Sequence, residues 1–460
     1  MRYDLTRIPL LKAILRSRWP QFLSTVVALG GFLLAIAAGF FGTTVGSRNF
    51  SIVFVWIAWW AILMLAAVPF FGRGWCSICP IPAPGEWLQR GALLGPGDHG
   101  SSKHASGLSL GRRWPSRLRN IWLQNGAFTL TALFSALVLT QPSLTAVVLA
   151  GFLFTAVGVS LVFERRAFCR YLCPVGGFIG LYSQLAPLEV RVKDTAVCAA
   201  HTEKTCYTGS SDGYGCPWLI YPGGLTRNTY CGTCMECLRT CPQDNIAIHI
   251  RPPAADLAVS RGRRMDEAFK AFIMLGSALV YAAVLLGPWG ALKSAAYAVG
   301  SGGWWGYTLA FVAIIFGILP GLFLLMVALG RRLSRSTQGL RQAFISFSYA
   351  LVPLGMAAWI AFSLSFVLAN LSYLLPALSD PFGWGWDLFG TSQTAWTPYL
   401  SDWVPLLQVS VLLGGLIGAG VTARQIALEK LTARSAVVHS LPVITFCLAA
   451  TVGMLGLLVA

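Results

Sequence analysis

Residues 231–242 read Cys231-Gly-Thr-Cys234-Met-Glu-Cys237-Leu-Arg-Thr-Cys241-Pro242. This C-x2-C-x2-C-x3-C-P spacing is one with which bacterial proteins hold 4Fe–4S clusters by cysteine thiolates. Three cysteines two residues apart wrap around one cluster, and the fourth, in the turn that its proline imposes, points toward a second cluster. Zinc sites more often show two separated C-x2-C pairs. The run therefore predicts iron–sulfur clusters, with zinc as the alternative.

The rest of the chain has the composition of a membrane protein. Hydrophobic residues make up 56% of the 460 positions and charged residues only 11%, with a mean hydropathy of +0.66. A soluble domain does not sustain such values. The sequence predicts an α-helical integral membrane protein of about nine transmembrane helices with an inserted cytoplasmic, bacterial-ferredoxin-like 2×4Fe–4S domain. The apolar stretches cover residues 22–41, 52–71, 121–140, 144–163, 271–289, 307–329, 344–371, 404–423 and 437–459.

The basic residues predict the orientation. With the start of the chain inside, 32 of the 34 lysines and arginines fall in segments facing the cytoplasm, which leaves Arg48 and Lys293 outside. Cytoplasmic loops of membrane proteins carry such an excess. We therefore expect a multi-pass protein of the inner (cytoplasmic) membrane with an uncleaved first helix and a cytoplasmic iron–sulfur domain. The net charge of +17 then indicates contact with membrane lipid and no nucleic-acid partner.

The front half of the chain contains a repeat. Two predicted helices lead into Arg73-Gly-Trp-Cys76-Ser-Ile-Cys79-Pro80, and the next two lead into Arg165-Arg-Ala-Phe-Cys169-Arg-Tyr-Leu-Cys173-Pro174. Each unit is a helical hairpin that ends in a Cys-Pro element, which favours a pseudo-twofold arrangement with the two cysteine pairs facing each other. Four thiolates arranged in this way would hold a third cluster. The alternative is a pair of redox-active dithiols, or reduced cysteines without metal.

Together these elements resemble a known family. Residues from about 20 to 250 are similar to the membrane polyferredoxins: the NapH-type quinol dehydrogenases of periplasmic nitrate reduction, the carboxy-terminal half of NosR and the FixG/CcoG-type proteins. The resemblance implies electron transfer between the quinone pool and a partner redox protein. This chain departs from the family in its first Cys-Pro element, C-x2-C-P rather than C-x3-C-P. It departs again in the stretched run Cys198-x7-Cys206-x9-Cys216-Pro217.

The ferredoxin crossover assigns the cysteines to clusters. One cluster takes the three closely spaced cysteines and a remote one that precedes a proline, namely Cys231, Cys234, Cys237 and Cys216. The other takes Cys241, Cys198 and Cys206 and lacks an evident fourth ligand. Three possibilities remain open for this ligand: His201, a hairpin cysteine, or none, which gives a 3Fe–4S cluster. With Cys76, Cys79, Cys169 and Cys173, eleven cysteines are predicted to be metal ligands, and no catalytic residue is predicted.

The predicted domains are a four-helix membrane module over residues 1–163, the iron–sulfur domain over 164–260 and a five-helix membrane module over 261–460. The last module lies outside the resemblance, and its lone Cys447, within an apolar helix, is predicted to serve packing. The outer loop 372–403 holds four tryptophans and three aspartates but no basic residue. Such a loop is typical of an interfacial aromatic belt, or of a docking surface for an exported partner.

Two functions remain open. The first is an electron-transfer subunit of a quinone-linked respiratory membrane complex, of the quinol dehydrogenase type of oxidoreductase. Its partners would be other subunits of a redox complex and a periplasmic reductase or cytochrome, and quinone is a candidate cofactor. The alternative is a metal (copper) reductase or assembly factor for a respiratory oxidase. Copper traffic favours Met- and His-rich tracts, whereas the 8 Met and 5 His of this chain are scattered.

Overall fold

The computed structural model describes residues 2–95 and 108–459. Lys103, one of the basic residues predicted to face the cytoplasm, lies outside them. The chain forms two compact units, each assembled from separate stretches. The first unit consists of Met1–Ile36, Ala66–Gln124 and Val147–Asp256, and it contains every predicted cluster ligand. The second consists of Ala37–Leu65, Asn125–Ala146 and Leu257–Ala460. These boundaries differ from the predicted three-part division because the first helices contribute to both units.

Within the described residues, eight helices are long and apolar enough to cross a membrane, as expected of a multi-pass membrane protein. We number them α1 to α8 in chain order: Trp19–Phe41, Phe50–Ile78, Pro142–Val162, Met265–Leu286, Gly302–Leu333, Leu340–Ser379, Ser401–Leu428 and Ala433–Leu458.

The predicted span 121–140 has a different form. It is helical over Trp122–Leu133 and again over Ser135–Val138, and the two pieces meet at Phe134. There φ is −97° and ψ is 8°, so the backbone leaves the helical region for one residue. Neither piece reaches the length of a span by itself, and the count of nine stays a prediction.

A small antiparallel sheet lies in the first unit. Its strands are β1 (Tyr3–Asp4), β2 (Leu188–Val192) and β3 (Ile246–Ile250), in the order β1-β3-β2. Val192 pairs with Ile246 at the end of β2 and the start of β3. The cysteine-rich segment between these two residues therefore leaves the sheet and returns to it at the same end of the paired strands β2 and β3.

Buried ion pairs support this sheet. Arg251 binds Glu189 at 2.9 Å and Arg191 binds Asp256 at 3.1 Å, and all four side chains are at most 8% exposed. Asp256 also accepts a 2.6 Å hydrogen bond from the backbone N–H of Asn228, three residues before Cys231. Removing one member of such a network leaves a buried charge without its partner, which is costly. The network therefore holds the cysteine-rich segment to the strands.

In the second unit, α4 begins at Met265, six residues before the predicted span. This start brings Asp266, Glu267 and Lys270 into the helix, and all three are at most 3% exposed. The Tyr349 hydroxyl donates to Glu267, and the Lys270 amine lies 4.7 Å from the ring centre of Phe128. The predicted span 271–289 therefore begins too late, because it leaves out these three charged residues.

The loop between α6 and α7, which is predicted to lie on the outer side, is held in shape by hydrogen bonds to its own aspartates. Asp380 accepts hydrogen bonds from the backbone N–H groups of Trp384 (2.9 Å) and Gly385 (2.7 Å). Asp387 accepts from the Ser379 hydroxyl at 2.8 Å and from the N–H of Ser392 at 3.0 Å. Both carboxylates thus shape the loop, while Trp384 and Trp386 remain 56% and 42% exposed.

Candidate iron–sulfur sites

The structure gathers four cysteines of the ferredoxin-like segment around one cavity. They are Cys216, Cys231, Cys234 and Cys237, which we call the first ferredoxin group. Cys231 and Cys234 lie on the loop after Asn228–Tyr230, and Cys237 lies in the short helix Glu236–Thr240. Met235 adopts a left-handed conformation, with φ 62°, and this turns the loop into the helix. The grouping is the one that the crossover spacing predicts, and the role of these thiols as iron ligands stays a prediction.

A second cavity is lined by Cys198, Cys206 and Cys241, the second ferredoxin group. Asn245 connects two of them: its side-chain amide donates to Cys198 Sγ, and its backbone N–H donates to Cys241 Sγ, each at 3.3 Å. No fourth cysteine lines this cavity among the residues that the structure describes, but His201 does.

The four cysteines of the repeat also come together. Each of Cys76, Cys79, Cys169 and Cys173 interacts electrostatically with the other three, so they share one site, the hairpin group. Cys76 lies near the C-terminal end of α2, and Cys169 lies in a single π-helical turn, Phe168–Leu172. The predicted pairing of the two Cys-Pro elements is therefore present in the structure.

The four Cys-Pro elements share a local geometry. Cys173 caps the helix Pro174–Tyr182, and its Sγ accepts the backbone N–H of Gly176 at 3.2 Å. Proline suits the first position of a helix because its φ is already helical and it has no N–H to satisfy. Backbone N–H groups after the proline also reach the sulfur in the other three elements, from Ile81 to Cys79, Ile220 to Cys216 and Asn245 to Cys241. Such N–H···S bonds raise the reduction potential of a cluster held by these sulfurs.

Burial opposes ionisation of these thiols. It raises the pKa of Cys173 and of Cys206 to about 11, and it raises the pKa of Cys79 and Cys234 further still. A thiol with so high a pKa stays protonated and unreactive at neutral pH unless a cation stabilises its thiolate. Iron supplies that positive charge, so the donors fit a metal cluster better than they fit free dithiol chemistry.

Two buried arginines lie between the groups. Arg73 is 3% exposed, donates to the carbonyl oxygen of Thr229 at 2.6 Å and stacks over Trp218, its guanidinium carbon 4.2 Å from the ring centre. Its Nε and Nη2 have no partner within the described part of the chain. It interacts electrostatically with Cys173 of the hairpin group and with Cys231 of the first ferredoxin group. A buried cation with free donors between two sets of thiols fits anionic clusters on both sides.

Arg166 occupies a similar position. It donates to Glu86 at 2.7 Å and to the carbonyl oxygen of Cys76 at 2.6 Å. It also interacts electrostatically with Cys169 and Cys234, one from each of the two groups. Cys206 in turn interacts with Cys216, and Cys237 with Cys206, so the two ferredoxin groups are neighbours as well. The three groups therefore follow one another through the unit.

The donors surround cavities rather than meet at one point. Over residues 2–95 and 108–459, no three His, Cys, Asp or Glu side chains converge as a single metal ion requires. A polynuclear cluster takes one thiolate at each of several irons, so its ligands stand apart around it. The cysteines of the two ferredoxin groups line cavities, as the ligands of such a cluster do.

Sequence reasoning missed a pocket that reaches two of the groups. Its wall includes Cys79 and Cys234, together with apolar side chains such as Phe22 and Trp87, whose ring centres are 5.9 Å apart. The cavity, of about 50 Å³, also presents Arg18, Gln21, Glu86 and Arg239. No local motif marks it, because its residues come from α1, from the end of α2, from the helix Ala83–Arg90 and from the cysteine-rich segment.

Comparison with known proteins gives a consistent result. The family described as "4Fe-4S binding domain" matches this chain twice, over residues 52–97 and 144–192. Each match contains one Cys-Pro element of the repeat, and the run 231–242 lies outside both. The chain is 30% identical over 105 residues to the candidate electron transport protein YccM of Escherichia coli (strain K12). The aligned residues make up 22% of this chain and 27% of that protein. No solved structure matches the chain. The similarities support an iron–sulfur protein of an electron-transfer family.

Proposed function

We propose that this protein is the iron–sulfur electron-transfer subunit of a quinone-linked respiratory membrane complex. The observation that carries the proposal is the succession of three cysteine groups, with Arg166 between the hairpin group and the first ferredoxin group. Iron–sulfur clusters, when bound, take up and release single electrons. The chain's own residues hold the thiols in place, exclude water from them and supply the positive charge that favours a reduced, more negative site.

The pocket between Cys79 and Cys234 supports the link to quinone. It combines aromatic walls with a few polar groups, as small-molecule sites do. Phe22 belongs to a candidate spanning helix, so an amphipathic ligand from the bilayer would reach the pocket along α1. A ring bound there would contact a cysteine of each of the two groups.

The hairpin group also supports nine crossings. Cys79 follows α2 and Cys173 follows α3, yet both belong to one site. A chain that leaves the membrane and returns to the same side must cross it an even number of times. Helix α3 supplies one crossing, and we assign the other to Trp122–Leu133 with Ser135–Val138. The distribution of the basic residues supports a position of the three groups on the cytoplasmic side of the inner membrane.

Two kinds of partner follow from this orientation. The outer loop between α6 and α7, with Trp384 and Trp386 exposed, would face an exported reductase or cytochrome. On the inner side, a recess lined by Arg113, Arg119, Arg165 and Arg170 would contact anionic lipid headgroups.

The test is reduction of the protein by a quinol. Anaerobically purified protein in liposomes should contain about eight to twelve irons, the number for two or three clusters. A soluble quinol analogue should reduce them, which EPR would report. Phe22→Ala should slow this reduction about tenfold, as expected for the loss of about 1.4 kcal/mol of ligand contact. Phe40→Ala, at an exposed site on the same helix, is the matched control.

The outcomes separate the parts of the proposal. Zinc in place of iron would contradict electron transfer altogether. Clusters that dithionite reduces but a quinol does not would contradict the quinone link. Rapid reduction of Cu(II) by the dithionite-reduced protein, without any reaction with quinol, would favour the copper reductase.

A further inference from the structure

The second ferredoxin group offers three cysteines where a four-iron cluster needs four ligands. We infer that the imidazole of His201 is the fourth ligand, so that this site binds a 4Fe–4S cluster through three thiolates and one histidine. The inference rests on the proposed function, because it presupposes iron in the ferredoxin-like segment.

The position of His201 in the sequence matches that of a ligand. In the run 231–242 the second cysteine follows the first by three residues, as Cys234 follows Cys231. His201 follows Cys198 by the same three residues, in Cys198-Ala-Ala-His201. The stretched first half of the motif is therefore a C-x2-H-x4-C run, in which an imidazole stands where the second thiolate is expected. Imidazole is an established ligand of iron in iron–sulfur clusters of the Rieske 2Fe–2S type.

The structure places His201 at the cluster cavity and the other candidates elsewhere. His201 lines the same cavity as Cys198, Cys206 and Cys241. The hairpin cysteines interact with one another and form their own site, and none of them lines this cavity among the residues described. A hairpin cysteine is therefore unavailable as the fourth ligand.

The backbone between the two ligands is held in place. The Lys204 amine donates to the carbonyl oxygens of both Cys198 and His201. The Tyr221 hydroxyl donates to the Cys198 carbonyl at 3.0 Å, and Lys204 lies 5.4 Å from the centre of the Tyr221 ring. The N–H of His201 donates to the Val197 carbonyl at 3.1 Å, which closes the helix Thr195–Ala200. These contacts fix the offset between Cys198 and His201, as a rigid ligand pair requires.

The chemical consequence concerns charge. A neutral imidazole in place of a thiolate makes the bound cluster less negative by one unit. A less negative site accepts an electron more readily, so its reduction potential rises. The second ferredoxin group would then be the higher-potential site of the two, and electrons that enter the segment would settle there.

The experiment labels the histidines. Protein containing ¹⁵N-histidine and unlabelled protein are reduced and compared by pulsed EPR, which detects nitrogen bonded to iron. The wild-type spectrum should change with the label. His201→Cys should keep the full iron content, lose the nitrogen signal and lower the potential of one cluster. His201→Ala should lose about one iron and give the signal of an oxidised three-iron cluster. His249→Gln, in β3 and away from the cavity, should retain the nitrogen signal.

Each possible result either supports or overturns the assignment of His201 as the fourth ligand. Iron-loaded wild-type protein without a histidine nitrogen signal, or with a three-iron cluster already present, overturns the inference and leaves the proposed function intact. Loss of the nitrogen signal in His249→Gln rather than in His201→Cys overturns it as well. Protein that binds no iron at all overturns the proposed function, and the inference with it.

Discussion

Asn245 offers a direct test of how the protein sets the potential of its second ferredoxin group. The side-chain amide donates to Cys198 Sγ at 3.3 Å, and Asn245 is only 5% exposed. Replacing Asn245 by leucine keeps the size of the side chain and removes this N–H···S bond. The sulfur carries more negative charge when a cluster is reduced, so the bond stabilises the reduced state. Its loss should lower the reduction potential of the cluster.

The magnitude of the shift follows from the loss of the N–H···S bond to Cys198. A hydrogen bond contributes about 0.5–1.5 kcal/mol net. Since about 1.4 kcal/mol corresponds to 59 mV for one electron, the potential should fall by about 20–60 mV. The variant also loses two hydrogen bonds to the Asp194 backbone, one donated to its carbonyl oxygen at 2.6 Å and one accepted from its N–H at 2.9 Å, so a loss of stability is expected. The Asn245 backbone N–H to Cys241 Sγ remains.

The assay is a redox titration followed by EPR, which separates the clusters by their signals. Asn49→Leu is the control, because Asn49 is fully buried in the second unit and donates to the carbonyl oxygens of Ala38 and Thr43, each at 2.8 Å, rather than to a sulfur. It should lower stability and leave every potential unchanged. An Asn245→Leu protein with full iron content and unaltered potentials would refute the reasoning.

Four further outcomes are expected. Cys234→Ser and Cys237→Ser should each remove the same cluster, whereas Cys447→Ser, at a lone buried thiol, should leave the iron content unchanged, as iron analysis would show. Each single serine variant of the hairpin group, at Cys76, Cys79, Cys169 or Cys173, should contain about four fewer irons and keep the ferredoxin clusters. Unchanged iron content in all four variants would indicate that these cysteines act as thiols and bind no cluster. Asp256→Asn should lower the free energy of unfolding by about 3–5 kcal/mol, because it breaks a buried ion-pair network, while Asp244→Asn, at an acid 42% exposed, should have a small effect in the same denaturation assay. Reconstitution of apoprotein with iron and sulfide should be more complete at higher pH, because the pKa values of Cys173 and Cys206 are raised to about 11 and metal binding must displace their protons; a yield independent of pH would contradict this.

Cysteine spacing predicted the grouping of the candidate ligands well. The crossover rule joined Cys216 to the run beginning at Cys231, and the two lie at one cavity although 14 other residues separate them in the chain. Spacing succeeds here because short runs of ligands wrap a cluster locally. The hydropathy pattern likewise predicted the eight spanning helices, since each contains an apolar stretch long enough to cross the bilayer.

Other features could not be predicted because they depend on distant parts of the chain. Arg73 looked like one of many inner basic residues, and only the fold places it over Trp218 beside two cysteine groups. The start of α4 at Met265 was missed because an apolar window excludes Asp266, which pairs with Arg264 at 2.8 Å, and Lys270, whose amine lies over the Phe128 ring. The two-residue strand β1 has no pattern of its own and exists only because β3 pairs with it.

That pairing bears on the order in which the protein is made. Lys12 binds Asp244 at 2.6 Å, although the two residues are 232 positions apart in the sequence. Strand β1 likewise forms only after β3 has been synthesised. The segments α1, α2 and α3 are therefore synthesised and inserted while the first residues still lack their partners. Contacts of such high sequence separation form late and slowly. Closure of the ferredoxin-like segment should thus follow membrane insertion. A nascent chain whose synthesis stalls before residue 246 would have its first helices in the membrane while its cysteines are still accessible for iron delivery.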